Sequence, residues 1–467
     1  MPVIRKRLRE VLSDDSLKAR AARGSALTFL SFGGAQFLRL VSNLILTRLL
    51  FPEAFGMMAL VQVIILGLEM FSVTGVKTSI IQNRRGDDPV FLNTAWTVQI
   101  GRGVFLWCLT IALAVPAASL YEQPMLAMLL PVAGFAAVLN GLQSTNVSTA
   151  NRQLMLGRLT FIELFSQAVS IVVMVIAAVV TKSVWALIFG SLVTEGLRTL
   201  LSHLMLPGIR NRPGWDKSAF WEIFHFGKYI FIGSIAGFLI NAGDRAILGK
   251  FVTLAELGIY NIGYFLATAP TNMAQQLSAK VLLPVYSRTA DAQGADSRRK
   301  QRLARGMLTG AMLAASLLLA FIGDWLVRLL YEPAYHLAGS LMVLLALAYM
   351  PTILILAYQQ KLLAQGNSRD MTVFTVIQAV IQTVLLLVGI QAFGLMGAII
   401  APPLAVLLVY PLVAWLTHRK GSWDPLLDLG LFLFCLLGAA LALWIKDTAI
   451  TEVLRGAVDS QAPALPG

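Results

Sequence analysis

Arg39, Asn43, Asn241, Asp244 and Arg245 are the residues of this chain whose types and spacing most readily suggest chemistry. Each lies inside a long apolar run, where a charge or an amide is costly and marks a site or a specific partner. Gln36, Arg39, Asn43 and Thr47 follow at steps of three and four, so on a helix they form one stripe. Arg39 sits about fourteen residues into its run, roughly 21 Å deep at 1.5 Å per residue. Ser234, Gly237, Asn241, Arg245 and Leu248 form a second stripe, with Asp244 on its flank. Neighbouring helical residues stand about 100° apart, so Asp244 is not expected to face Arg245. It needs a partner of its own, or it serves as a protonatable or cation-binding carboxylate.

Four more charges are embedded: Glu69, Arg102, Lys228 and Lys280. Glu69 is either the structural partner of Arg39 or an ion-coupling carboxylate. Lys228 and Lys280 lie close enough to one membrane face to snorkel. Asn261, Tyr264, Thr268, Asn272 and Gln276 form a third stripe, suited to sugar hydroxyls or to helix–helix hydrogen bonds. Gln378 and Gln382 carry the same ambiguity. Embedded cations outnumber embedded anions, which favours an anionic ligand such as a pyrophosphate group, held bidentately by Arg. The candidate ligand-binding residues are therefore Arg39, Asn43, Arg102, Asn241, Arg245, Tyr264 and Lys280. The candidate ion-coupling residues are Glu69 and Asp244.

Other chemistry is disfavoured. Gly243 to Gly249-Lys250 resembles a phosphate loop, but five residues separate the glycines instead of four, and Phe251 replaces the Ser or Thr. His203, His225, His336 and His418 have no ligand spacing, so no metal site and no cofactor are expected. No Ser/His/Asp or Cys/His arrangement stands out. The outer connections are short, which argues against an enzyme with catalytic carboxylates in a long loop.

These residues must be positioned by an unusual chain. It has 467 residues, 57% hydrophobic and 13% charged. Soluble domains carry about 25% charged residues. The balance predicts an all-α polytopic membrane protein, and the net charge of +13 is a matter of topology, not of nucleic acid. Cys108 and Cys435 fall in apolar runs and are read as packing residues. Thirteen spans are expected, at 25–49, 55–76, 93–117, 125–147, 160–181, 184–206, 221–249, 255–283, 303–323, 337–359, 370–392, 394–416 and 426–445. The first is too long for a signal-peptide core and is read as uncleaved. With the N-terminus inside, 26 of the 37 Lys and Arg fall in inside segments and 6 in outside ones. That bias places the N-terminus in the cytoplasm.

A shift of 202 lays "TRLLFPEAFG" over "GKFVTLAELG", matching Gly56 with Gly258. Shifts of 210 and 209 match Tyr121 with Tyr331, and Gly157 with Gly366. Two parallel six-helix repeats around a central cavity follow, plus one extra C-terminal helix. The expected parts are a basic segment 1–24, a first lobe 25–206, a linker 207–220, a second lobe 221–416 and an extra helix with tail 417–467.

"RGSALTFLSFGGAQFLRLVSNLILTRLLFPEAFGMMAL" and "NAGDRAILGKFVTLAELGIYNIGYFLATAP" resemble segments of Wzx-type polysaccharide-transporter flippases, of the multidrug/oligosaccharidyl-lipid/polysaccharide exporter superfamily. The resemblance spans helices 1–12. It implies translocation of an undecaprenyl-pyrophosphate-linked oligosaccharide across the bacterial inner membrane by alternating access. It places Asp244 and Arg245 on the family's D-R position and Tyr260 on its L-G-x-Y tyrosine. A monomer that serves a polymerase or export machinery is expected. The alternatives are a drug/cation antiporter of the same superfamily and a membrane-embedded polymerase or ligase.

Overall fold

The computed structural model describes residues 17–72, 75–153, 155–288, 295–366, 368–419, 423–447 and 451. The side chains of 17–30, 225–232, 288, 295 and 368 are outside the description, and so is most of the basic segment 1–24, the Lys228 side chain and the tail beyond 451.

The described chain is helical throughout, as the apolar runs require. Its elements are α1 (Leu17–Leu46), α2 (Pro52–Phe71), α3 (Val76–Gln82), α4 (Pro89–Leu120), α5 (Leu126–Leu142), α6 (Asn146–Arg152), α7 (Leu156–Thr181) and α8 (Trp185–Met205). They continue with α9 (Lys217–Phe251), α10 (Leu254–Ala267), α11 (Ala269–Leu277), a π-helical turn (Ser278–Leu282) and α12 (Leu283–Arg288). Then come α13 (Ala295–Leu330), a short 3-10 turn (Pro333–Tyr335), α14 (Leu337–Ala348), α15 (Met350–Ala364), α16 (Ser368–Phe393), α17 (Leu395–His418) and α18 (Pro425–Ile445). Every one of the thirteen expected spans corresponds to one of these helices or to a broken series of them.

Local chemistry sets several ends. Asp88 caps α4 by accepting from the Val90 amide at 3.0 Å, with Pro89 as the first helical residue. Thr253 and Glu256 form a reciprocal capping box at α10. Asp424 caps α18 through the Leu427 amide at 3.2 Å, ahead of Pro425.

Three expected spans are interrupted. Residues 125–147 become α5 and α6, bent by 59°, and 337–359 become α14 and α15, with a 41° bend. The span 255–283 breaks at Thr268–Pro270 and again at the π turn. A π turn leaves backbone groups out of the regular ladder and is a frequent feature of functional helices. Among the described residues, seven helices are long and apolar enough to cross a membrane, and up to nine if each bent pair is one span. Outside that number are α1, the broken series α10–α12, and α8 and α9, the last two carrying Glu195, Arg198, Asp244 and Arg245. The chain is an all-α, multi-pass membrane protein.

Two compact units divide the chain: 1–50 with 65–231, and 51–64 with 232–467. In the first unit α4 packs on α5, α7 on α8, and α1 on α7. In the second, α16 packs on α17, α13 on α14, and α10 on α14, with α18 laid against α13 and α15. The core of that last contact is Leu313, Leu317, Met350, Ile353, Leu354, Leu431 and Cys435. The residues 51–64 of α2 are counted with the second unit, where Gly56 and Gly258 let α2 and α10 cross backbone to backbone.

Candidate functional site

The first unit holds a half-buried network of opposite charges. Arg198 of α8 pairs with Glu163 of α7 and, at 2.6 Å, with Glu195 one turn earlier. Glu195 also receives the Asn140 amide at 3.5 Å. Arg39 interacts electrostatically with Glu163 and Arg198. Glu69 interacts instead with Arg102, Glu195 and Lys77. Of the two readings of Glu69, partner of Arg39 or ion-coupling carboxylate, the first finds no ion pair between them among the described residues. The reason is packing: α1 lies on α7, which offers Glu163 to Arg39.

Arg102 is occupied by backbone. Its Nε donates to the Ser72 carbonyl at 2.7 Å and to the Ser72 hydroxyl at 3.1 Å, while Nη2 donates to the Glu69 carbonyl at 3.0 Å. A guanidinium is well suited to this task, because the last carbonyls of α2 have no partner within their own helix. Arg39 and Lys77 differ from Arg102. Both are solvent-exposed on their helices, whereas Arg102 is half-buried against the end of α2. Asn43, one turn beyond Arg39, is half-buried.

The second unit holds a separate cluster on α9 and α10. Asp244 is 1% exposed. Its Oδ2 accepts from the Tyr260 hydroxyl at 2.7 Å, and its Oδ1 accepts the Arg245 amide at 2.8 Å. Tyr260 is the missing partner. The Arg245 Nε also lies 3.6 Å from Asp244 Oδ1, so the two neighbours do form an ion pair. The expectation that they stand apart is corrected: the long Arg side chain folds back along the helix, and Nη2 donates to the Asn241 carbonyl. The guanidinium then lies over the Tyr264 ring, 4.5 Å from its centroid, and Tyr264 meets Tyr349 edge-on at 5.6 Å. Asn241 is exposed, and its amide donates to the Gly237 carbonyl at 2.7 Å. Lys280 is exposed on the π turn, on a different element from this cluster. Gln382 is buried and donates to the Ile240 carbonyl at 3.0 Å, which settles it as helix–helix glue.

Removing the Tyr260 hydroxyl strips a buried carboxylate of one donor. Hydrogen bonds to charged groups are worth about 1.5–3 kcal/mol. Tyr260→Phe is expected to lower thermal stability by that amount. Unaltered melting would show that Asp244 does not depend on the tyrosine.

Several residues escaped sequence reasoning. Lys77 and Arg198 are not among the sequence candidates, yet both lie on helices close to them. Glu163 and Glu195 drew no notice, although Glu195 and Arg198 at i, i+3 on one apolar helix were a legible signal. A third network joins Arg305, Tyr358, Tyr410 and Asp428 at the start of α18. Among the described residues, no group of three or more His, Cys, Asp and Glu side chains could hold a metal ion.

Comparison with known proteins places this geometry. A family profile described as polysaccharide biosynthesis protein matches residues 45–340. The chain is 26% identical over 278 residues to an uncharacterized membrane protein in the cps region of Klebsiella pneumoniae, covering 58% of this chain and 56% of that one. It is 25% identical over 234 residues to a probable low-salt glycan biosynthesis flippase, Agl15, of Haloferax volcanii, covering 48% and 46%. The chain thus spans about half the length of the curated relatives it matches. Among solved structures it is similar in fold to the lipid II flippase MurJ in an inward closed conformation, with a TM-score of 0.66, 13% identity, and coverage of 93% of this chain and 99% of that one.

Proposed function

Because the chain belongs to the family of polysaccharide biosynthesis proteins, we propose that it is a transporter, not an enzyme, and that it moves a lipid-linked glycan across a membrane during polysaccharide assembly. The substrate is an oligosaccharide on an undecaprenyl pyrophosphate carrier. It crosses the bacterial inner membrane by alternating access of two parallel six-helix repeats, in a monomer with its N-terminus in the cytoplasm, for use by a polymerase or export machinery. Bends in both fourth helices, α5–α6 and α14–α15, and the matched glycines Gly56 and Gly258 support the repeat.

The observation that carries this reading is the pair of exposed cations on helices of the first unit, Arg39 and Lys77. They can meet a diphosphate without first breaking an ion pair with a carboxylate on their own helix. Asn43 adds a hydrogen-bonding group one turn from Arg39. Arg245, Asn241 and Tyr264 form a second polar surface in the other unit, with the guanidinium over the ring, for sugar or phosphate contact. Lys280 supplies a further exposed cation. Arg102 acts through structure, by tying off α2. Of the two carboxylates assigned to ion coupling, Glu69 is the better placed, since Asp244 is already held by Tyr260 and Arg245. The antiporter alternative needs a carboxylate-rich surface, whereas Glu163 and Glu195 are both tied to Arg198 and only Glu69 of the named carboxylates is left without an ion pair among the described residues.

The test is flipping of a fluorescent lipid-diphosphate glycan in proteoliposomes. Loss of a charge-assisted contact of about 1.5–3 kcal/mol corresponds to roughly a tenfold to hundredfold change. Arg39→Ala and Lys77→Ala are each expected to slow flipping by that factor while the protein still elutes as a folded species. Wild-type rates in both variants would remove these cations from the substrate path.

A further inference from the structure

The segment 207–216 between α8 and α9 has no regular secondary structure, yet it is not loose. The amides of Arg212, Gly214 and Asp216 each donate, at 3.0 Å, to Asn93, Thr97 and Thr94 on the first turns of α4. The Asn211 side chain is held by Thr145 at 2.6 Å and receives the Ser144 hydroxyl at 2.7 Å. A strap whose backbone donors are satisfied this way presents its remaining side chains in fixed positions.

What it presents is aromatic and basic. Trp215 stacks obliquely on Phe220, with centroids 4.9 Å apart, and Phe220 touches Trp221 at 5.5 Å and Phe224 at 5.9 Å. Trp215, Trp221 and Phe224 are 63%, 46% and 52% exposed. Arg210, Arg212 and Lys217 are exposed around them and form no ion pair among the described residues. The nearby acids are drawn to Arg85, with Asp88 at 3.0 Å, Glu222 at 3.2 Å and Asp216 at 3.8 Å. The acidic groups are thus turned to a shared arginine, and three cations are left outward beside indole rings. Tryptophan beside lysine and arginine at helix ends is the chemistry of the headgroup layer, where the ring sits among glycerol groups and the cation meets phosphate. The end of α8 and the starts of α9 and α4 all meet here, and the ends of spanning helices are where a chain leaves the hydrocarbon.

We propose that the strap 207–216 and the first turns of α9 form a docking surface for the anionic headgroups of a phospholipid leaflet. The surface lies wholly in the first unit and does not depend on what the protein carries.

The full chain, reconstituted in phosphatidylcholine vesicles, provides the test. Lipids brominated near the headgroup or near the chain end are added, on either phosphatidylcholine or phosphatidylglycerol. The chain has nine tryptophans, so the signal of Trp215 and Trp221 is taken as the difference between wild type and a Trp215→Phe, Trp221→Phe variant. Shallow bromines are expected to quench this signal and deep ones to spare it. Brominated phosphatidylglycerol should quench more than phosphatidylcholine at equal mole fraction. An Arg210→Gln, Arg212→Gln, Lys217→Gln variant, changed only at exposed positions, should lose that preference; at about fivefold per cation the expected loss in lipid affinity is roughly a hundredfold. If the double-Phe variant does not fold, the triple-Gln variant against wild type still reads the preference from total quenching. Equal quenching by both headgroups, quenching only by deep bromines, or an unchanged preference in the triple variant would overturn the proposal. So would inorganic phosphate abolishing the preference, which would assign the cations to a free anion.

Discussion

Asp428→Ala is expected to destabilise the protein by about 3–5 kcal/mol, the cost of leaving a buried charge without its partner. Asp428 is 3% exposed and Arg305 5%. The carboxylate Oδ1 accepts from Arg305, and Oδ2 accepts from the hydroxyls of Tyr358 at 2.6 Å and Tyr410 at 2.5 Å. The same Tyr358 oxygen accepts from Arg305 at 2.8 Å, and its ring lies 4.0 Å beneath the guanidinium. Four helices, α13, α15, α17 and α18, converge on this one carboxylate. A second pair, Arg302 with Asp424 at 3.1 Å, lies at the cap of α18. The extra helix is thus bound into the second unit at its first turn, while much of its remaining surface is exposed leucine. Asp428→Asn keeps an acceptor and should lose less. Replacing both charges, as Arg305→Met with Asp428→Leu, should recover most of the stability, because no lone charge remains. Thermal unfolding in detergent reads all three variants. A loss under about 1 kcal/mol for Asp428→Ala would mean that the cage does not hold the helix.

The second large effect concerns the crossing of α2 and α10. A Cβ on Gly258 would lie 2.0 Å from the Pro52 carbonyl oxygen and 2.9 Å from the Gly56 amide nitrogen. A Cβ on Gly56 would lie 1.9 Å from the Leu254 carbonyl oxygen. The obstacles are backbone atoms, so no side chain can turn aside, and the helices must part. Gly56→Val and Gly258→Val should each cost at least the 1–3 kcal/mol or so of an overpacked core, and each should fold poorly. Gly243 is the control. It sits on α9 with nothing within 4 Å of its would-be Cβ. Gly243→Ala should be neutral or gain roughly 0.5–1 kcal/mol from the helix's preference for Ala. Equal melting of Gly258→Val and wild type would show that the close approach is not needed for the fold.

Both predictions rest on features that sequence reading reached unevenly. Gly56 and Gly258 stood out because the 202-residue shift superposed them, although nothing in a sequence says that two repeat-related glycines touch. Asp428 did not stand out. An acid in the first turn of a helix reads as a favourable partner for the helix dipole, and Arg305 reads as one more basic residue beside a span. Arg102 and Gln382 were recognised as embedded polar groups, but their carbonyl partners could not be named. Glu69 shows the same limit, since a carboxylate can be placed at a depth without showing which of several cations it faces.

The amino-acid sequence by itself determined where helices run. Thirteen apolar segments of spanning length permit little else in a membrane, since backbone groups must be satisfied within each segment. It also determined which side chains are anomalous there, because apolarity and helical period are local properties. Only the tertiary structure decided the partners. Tyr260 meets Asp244 across 16 positions, Arg198 meets Glu163 across 35, and Arg305 meets Asp428 across 123. A helix fixes which face a residue takes, but the neighbour on that face comes from packing between distant segments, and charge pairing depends on distances that packing alone sets.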